Sequence, residues 1–112
     1  MMNTCPNCCR KHISTAISYS HEAVMGYPLH AWLAVGELVN AENEIMRASI
    51  NIATTIRQYR LQYMDCIEAE FANLDDVPDF MLLLEIVTAF HRGEKPKDVP
   101  LETEYNLFNQ PS

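Results

Sequence analysis

The residues best suited to chemistry lie in one short stretch near the start of the chain. Residues 5–12 read CPNCCRKH, which places three cysteines and one histidine within eight positions, and the whole chain has only four cysteines. Thiolate and imidazole are ligands that zinc prefers, and the same groups serve as nucleophile and proton carrier in thiol chemistry. The stretch therefore predicts a metal site, a redox-active thiol pair, or cysteines that only pack at a helix start.

The spacing of these residues favours the metal site. If a helix begins at Pro6, Cys8 and His12 stand one turn apart on the same face, and Cys5, just before the helix, folds back toward them. Cys5, Cys8 and His12 then suit a tetrahedral zinc ion. Cys9 points about 100° away from Cys8 and is a poorer ligand.

This set lacks a fourth ligand, and the predicted topology offers candidates. If the first two helices form an antiparallel hairpin around GYP at 26–28, His12 faces the region of Ala41 and Cys8 faces Glu44. Glu42 or Glu44 then comes within reach of the cysteines. A water molecule or a residue of another subunit is an equal alternative for the fourth position.

The last helix supplies another candidate ligand. If the chain also breaks near residue 49, that helix returns to the same end of the bundle and places His91 near the cysteines. Cys66 would lie at the opposite end. The predicted metal ligands are thus Cys5, Cys8, His12, Glu44 and His91.

The same residues support a redox hypothesis. The Cys-x-x-Cys-x-x-x-His spacing of residues 5–12 resembles the motif of the alkylhydroperoxidase D and carboxymuconolactone decarboxylase families, which are all-helical. This resemblance implies Cys5 and Cys8 as the dithiol and His12 as part of a proton relay. It also implies a relay carboxylate, which Glu42, Glu44 or another subunit would have to supply.

A second set of residues has a spacing that resembles a metal site. His30, Glu37 and Glu44 are spaced by seven and share one helix face, as in the carboxylate lining of di-iron bundles. Those bundles need a Glu-x-x-His pair on each of two helices, and this sequence contains none. We therefore expect these glutamates to be solvated.

Composition narrows the fold and function classes. The chain has 112 residues, 48% of them hydrophobic and only three glycines, which favours one all-α domain. Its net charge of −7 argues against nucleic-acid binding. The most apolar window, FMLLLEIVTAF at 80–90, is too short to cross a membrane, and no signal peptide begins the chain. We therefore predict a cytoplasmic protein.

Periodicity and helix breakers predict a bundle of three to four helices, compact or elongated. The first helix runs from Pro6 to about Met25 and the last follows Pro78 and ends at Gly93. Residues 28–73 form one long helix or two, and the polar and β-branched stretch ASINIA favours a break. The predicted helical domain covers residues 1–93, and the proline-containing segment 94–112 is predicted to be an extended tail.

The remaining features favour contact with other proteins. Tyr59 and Tyr63 lie one turn apart beside Arg57 and Arg60, a mixture that is enriched at interfaces. This pattern predicts a homo-oligomer or a protein partner.

The combination of Cys-x-x-Cys, KH and GYPLHAWLAVGELVNAENE also resembles a group of small proteins encoded by bacteriophage and bacterial genomes. It implies a phage or prophage accessory protein, in the host cytoplasm or in the virion. The predicted function is a structural or protein–protein interaction protein whose first helix is pinned by zinc. The alternatives are a thiol oxidoreductase and a binder of small molecules between subunits.

Overall fold

The computed structural model describes residues 5–93, which form four α-helices. They are α1 (Pro6–Val24), α2 (His30–Ile45), α3 (Ile50–Glu68) and α4 (Phe80–His91), and a short 3₁₀ turn at Leu74–Asp76 precedes the last of them. No strand occurs within this part of the chain, which confirms the all-α prediction. The predicted tail at 94–112 lies outside the described residues.

The break between α2 and α3 confirms the preferred prediction for the long central segment. Ser49 has an extended backbone and its side chain accepts a hydrogen bond from the backbone N–H of Ile52 at 3.2 Å. A serine that satisfies an otherwise unpaired N–H group is a favourable N-cap. The chain therefore starts a new helix after Ser49 instead of extending α2.

At two helix starts a proline precedes the N-cap, so α2 begins at His30 and not at Pro28, while α4 follows Pro78 as predicted. Pro28 lies in a tight turn in which the His30 N–H donates to the carbonyl of Tyr27 at 2.8 Å, and α2 begins only at His30. Pro78 comes just before Asp79, whose side chain accepts hydrogen bonds from the next helix's first turn. Both prolines still prevent the preceding element from continuing.

The core forms where α1 packs between α2 and α4, while α3 packs mainly against α2. Small residues let α1 and α2 approach closely: Ala16, Ala31, Ala34 and Ala41 are all fully buried. No helix within residues 5–93 is both long enough and apolar enough to span a bilayer.

The predicted interface around the two tyrosines is wrong at Tyr63, which is a core residue. Its ring is fully buried and meets Phe80 edge-on at 5.1 Å between centroids, with Phe71 at 5.9 Å. The turn before α4 brings both phenylalanines over the end of α3, and this cover is not visible in the periodicity of one helix. Tyr59 is half-buried beside Phe80 at 6.2 Å.

The neighbouring arginines bind an internal carboxylate. Glu42 is only 5% exposed, and it accepts hydrogen bonds from Nη2 and Nε of Arg57 at 2.6 and 2.9 Å and from Arg60 at 3.5 Å. A buried carboxylate needs such partners to offset its lost hydration. Glu42 therefore links α2 to α3 and is not directed at the cysteines.

Candidate functional site

Cys5 caps the first helix and so stands at the positive end of its dipole. The residue has an extended backbone (φ −135°, ψ 91°), and its side chain accepts the backbone N–H of Cys8 at 3.1 Å. Pro6 occupies the first helical position, where its missing N–H costs nothing. The sulfur of Cys5 is therefore the N-cap acceptor of α1.

Cys5 and Cys8 are joined by a disulfide bond, with their Cα atoms 5.1 Å apart. Both residues are half-buried. Within residues 5–93, no three His, Cys, Asp or Glu side chains are grouped so that they could hold a metal ion. In this oxidised form, the two sulfur atoms are bonded to each other.

A short ladder of contacts fixes the register between α1 and α2. The N–H of Cys5 donates to the carbonyl of Glu44 at 3.1 Å, and Nδ1 of His12 lies 2.6 Å from Oε1 of Glu37. Cys5 and His12 are seven residues apart on α1, and Glu37 and Glu44 are seven residues apart on α2. The two helices therefore run antiparallel, with Cys8 opposite Ala41. The predicted register placed His12 near Ala41, about one turn further along α2.

The His12–Glu37 contact orients the imidazole. A carboxylate oxygen 2.6 Å from a ring nitrogen accepts a hydrogen bond from it, so Nδ1 carries a hydrogen and Nε2 is the ring nitrogen that Glu37 does not contact. Both side chains are partly covered, at 31% and 24% exposure. Glu37 is thus the carboxylate that contacts His12, whereas the sequence predicted a solvated Glu37 and offered Glu42 or Glu44 for this position.

A second histidine–carboxylate pair lies at the other end of the same two helices. His30 places Nδ1 at 2.6 Å from Oε1 of Glu22, and its ring stacks on Tyr27 at 5.3 Å between centroids. His30 therefore pairs across to α1 and does not join Glu37 and Glu44 on a shared solvated face. No cysteine lies near this pair in the sequence, which makes it a natural control for the first one.

Cys9 is a core residue and differs chemically from its neighbours. Its side chain is fully buried, and burial, reinforced by the negative charge of Glu44, raises the pKa of the Cys9 thiol to about 12. The sequence placed Cys9 about 100° around the helix from Cys8, and the structure buries Cys9 in the core while Cys8 is half-buried. A free thiol with such a pKa is a poor nucleophile at neutral pH.

The backbone carbonyl of Glu44 accepts a hydrogen bond, whereas one oxygen of its carboxylate has no hydrogen-bond partner among the described residues. Its carbonyl accepts the Cys5 N–H, while Oε1 is buried without a hydrogen-bond partner among the described residues. Buried polar atoms in native proteins normally have partners, and an exception calls for an explanation such as a bound ion. Glu44 thus lies at the cysteine end of α2, as the sequence predicted.

The remaining predicted residues are His91 and Cys66. His91 is the last residue of α4 and is exposed. Leu84 and Thr88 of α4 line a pocket together with Arg10, Lys11 and Ser14 of α1. Cys66 lies at the end of α3, where its thiol contacts the carbonyl of Asp76 at 3.4 Å.

The structure thus assembles Cys5, Cys8, His12, Glu37 and Glu44 at one end of the α1–α2 pair. This set contains a disulfide between two half-buried cysteines, an imidazole oriented by a carboxylate, and a buried carboxylate oxygen without a hydrogen-bond partner among the described residues. Comparison of the chain with protein-family models, with curated proteins and with solved structures found no match.

Proposed function

We propose that this protein is a thiol–disulfide exchange protein whose reactive pair is Cys5 and Cys8. The observation that carries the proposal is the half-buried Cys5–Cys8 bond at the start of α1, where the Sγ of Cys5 accepts the N–H of Cys8. Donation from a helix N-terminus stabilises a thiolate and lowers the pKa of such cysteines in general. Cys5 is accordingly the nucleophile.

The exchange proceeds in two balanced steps. In the reduced protein, the Cys5 thiolate attacks a disulfide of the partner, forms a mixed disulfide and releases one partner thiolate. The Cys8 thiolate then attacks the Cys5 sulfur, forms the Cys5–Cys8 bond and releases the second partner thiolate. Two electrons pass to the partner, and His12, one turn after Cys8, accepts the Cys8 proton.

The other two cysteines do not compete in this exchange. Burial raises the pKa of the Cys9 thiol to about 12 and raises the pKa of the Cys66 thiol as well. Both residues are buried within the bundle. The protein therefore carries one reactive dithiol and two inert thiols, an arrangement that protects it from wrong disulfides.

The experiment is equilibration of the full chain in mixtures of reduced and oxidised glutathione, followed by acid trapping, alkylation and intact-mass analysis. We expect one reversible loss of two hydrogens, mapped to Cys5 and Cys8. We also expect the reduced protein to react with a small disulfide reagent at pH 7 at least tenfold faster than glutathione does, because a larger fraction of Cys5 is thiolate.

Two variants make the result specific. Cys66→Ser keeps the reactive pair and should exchange like the unaltered protein, whereas Cys8→Ser should stop at the mixed disulfide with glutathione. A reduced protein whose Cys5 reacts more slowly than glutathione would contradict the proposal. So would an oxidised product that links any other pair of cysteines.

A second candidate function is association with another copy of the chain, as the sequence predicted. Six of the eleven exposed large apolar side chains of residues 5–93 fall between residues 24 and 33: Val24, Met25, Tyr27, Leu29, Trp32 and Leu33. This segment contains no Asp, Glu, Lys or Arg. Two chains of net charge −7 can meet there without opposing carboxylates, and exposed apolar patches commonly mark such contacts.

Sedimentation analysis of two matched variants tests this second candidate. Leu29 is 77% exposed inside the patch and Leu61 is 44% exposed outside it. We expect a dimer for the unaltered chain and for Leu61→Glu, and a monomer for Leu29→Glu. A monomer for all three proteins at high concentration would contradict self-association. The phage origin and the host-cytoplasm or virion location stay predictions.

A further inference from the structure

We propose that the reduced form of the protein binds one zinc ion through Cys5, Cys8, His12 and Glu44, so that the Cys5–Cys8 bond acts as a redox switch for metal binding. The ligand class is a divalent cation that prefers sulfur and nitrogen. The switching part of this inference rests on the proposed thiol exchange. The coordination part rests on geometry and is tested separately.

The first argument is the orientation of His12. Histidines that bind zinc almost always donate their other ring N–H to a carboxylate or carbonyl, which fixes the tautomer and the ring plane. The 2.6 Å contact between Nδ1 of His12 and Oε1 of Glu37 is an arrangement of this kind. It leaves Nε2 as the coordinating atom, and Glu37 serves as a positioning residue.

The second argument is the placement of the two sulfur atoms. The Cys5–Cys8 bond shows that both sulfur atoms reach the same point, and reduction replaces one covalent bond with two thiols at that point. Cys8 and His12 are one turn apart, so their side chains lie on the same face of α1. A zinc ion bound here would draw the two sulfur atoms apart to about 2.3 Å from the metal each.

The third argument is the unused oxygen of Glu44. Glu37 and Glu44 lie two turns apart on α2, which is about 10 Å at 1.5 Å per residue. Their partners on α1, His12 and Cys5, are the same number of residues apart. Ala41, fully buried opposite Cys8, fills little space between them. The unpaired buried Oε1 of Glu44 is therefore available as the fourth ligand.

The oxidation state of Cys5 and Cys8 decides whether the site can bind a metal ion. In the oxidised protein each sulfur is bonded to the other and is no longer a thiolate ligand. A dithiol reductant supplies two electrons and two protons to give the two thiols. Metal binding then displaces those protons, because only thiolates coordinate.

The test uses Co²⁺ as a spectroscopic probe and Zn²⁺ as a competitor. The full chain is reduced, freed of reductant without oxygen, and titrated with Co²⁺. We expect one equivalent to give the thiolate-to-cobalt charge-transfer band and the intense visible bands of tetrahedral cobalt, both lost when Zn²⁺ is added. The oxidised chain should give neither band.

Matched variants separate coordination from folding. Glu37→Gln removes the orienting carboxylate and should weaken metal binding about tenfold to a hundredfold, whereas Glu22→Gln breaks the equivalent pair with His30 and should leave binding unchanged. His12→Gln is compared with His30→Gln in the same way. Glu44→Gln should weaken binding and change the visible cobalt bands.

The outcomes distinguish this inference from the proposed function. A reduced protein with a fast-reacting Cys5 and no thiolate–cobalt band overturns metal binding and leaves thiol exchange in place. A thiolate–cobalt band in a protein whose metal-free Cys5 is slow supports the metal site and overturns exchange. Equal metal affinity in Glu37→Gln and Glu22→Gln would overturn the role given to the His12–Glu37 pair.

Discussion

The backbone N–H of Cys5 donates to the carbonyl oxygen of Glu44 at 3.1 Å, which ties the start of α1 to the last turn of α2. Carbonyl groups in the last turn of a helix lack partners within that helix. Cys5 therefore satisfies an orphan group of α2 while its own side chain caps α1. A single residue thus holds the candidate site and closes the end of the helix pair.

The capping role of Cys5 predicts different effects for two substitutions. In a Cys8→Ser background, which has no Cys5–Cys8 bond, Cys5→Ser keeps a side-chain acceptor for the first turn and should preserve the stability of the fold. Cys5→Ala removes that acceptor and should lower the free energy of unfolding by about 1 kcal/mol. Urea unfolding under reducing conditions measures the difference. Equal stabilities would show that the Cys5 sulfur contributes nothing as a cap.

The pKa of Cys9 predicts how many thiols react. At pH 8, a thiol with a pKa of about 12 is thiolate in about one molecule in 10⁴. Brief alkylation of the reduced native protein at pH 8 should therefore modify Cys5 and Cys8 and spare Cys9 and Cys66. The control is the same reaction in urea, where all four cysteines should react. Labelling of Cys9 as fast as Cys8 would contradict its burial.

The sequence predicted the helical class, the break after α2 and the approach of Glu44 to the cysteines, because each depends on local signals. Helical periodicity, Ser49 as a cap and the antiparallel return at GYP all act over a few residues. These signals place the correct ends of α1 and α2 together. They do not set the register within the pair.

The pairing of His12 with Glu37 was not predictable for that reason. A shift of one turn along α2 changes the partner of His12 from the neighbourhood of Ala41 to Glu37, and the shift is set by how small residues such as Ala16 and Ala34 pack between the helices. The burial of Tyr63 was not predictable for a similar reason. Phe71 and Phe80 cover it only after the chain turns into α4.

The Glu42 network predicts an asymmetric response to mutation. Glu42 is buried, whereas the Arg57 side chain that binds it is 51% exposed. Arg57→Gln removes the two short hydrogen bonds of a buried carboxylate and leaves it only the 3.5 Å contact to Arg60, so it should lower the free energy of unfolding by about 3 kcal/mol. Glu42→Gln leaves arginines of which Arg57 can regain water, and it should cost less, about 1 kcal/mol.

Urea unfolding at pH 7 compares these two variants directly. Arg47→Gln, a change at an exposed arginine just after α2, is the control and should lie within about 0.5 kcal/mol of the unaltered protein. A larger loss for Glu42→Gln than for Arg57→Gln would mean that Arg57 does not offset the lost hydration of the buried carboxylate.

Tyr63 provides a prediction for the effect of pH. Its hydroxyl is buried without a hydrogen-bond partner among the described residues, and burial, followed by the nearby Cys66, raises its pKa to about 12. The unfolded chain ionises this phenol near its ordinary pKa of 10.0. Stability is therefore fully present below pH 10 and declines as the pH rises toward 12.

Tyr63→Phe removes both the unpaired hydroxyl and its titration. We expect the variant to gain about 1 kcal/mol at pH 7, because a buried group that lacked a partner is gone, and to lose less stability than the unaltered protein between pH 9 and 11. Tyr27→Phe, a change at a residue that is 61% exposed, is the matched control. Urea unfolding at the three pH values measures both effects, and a clear loss of stability for Tyr63→Phe at pH 7 would show that the hydroxyl is satisfied in solution.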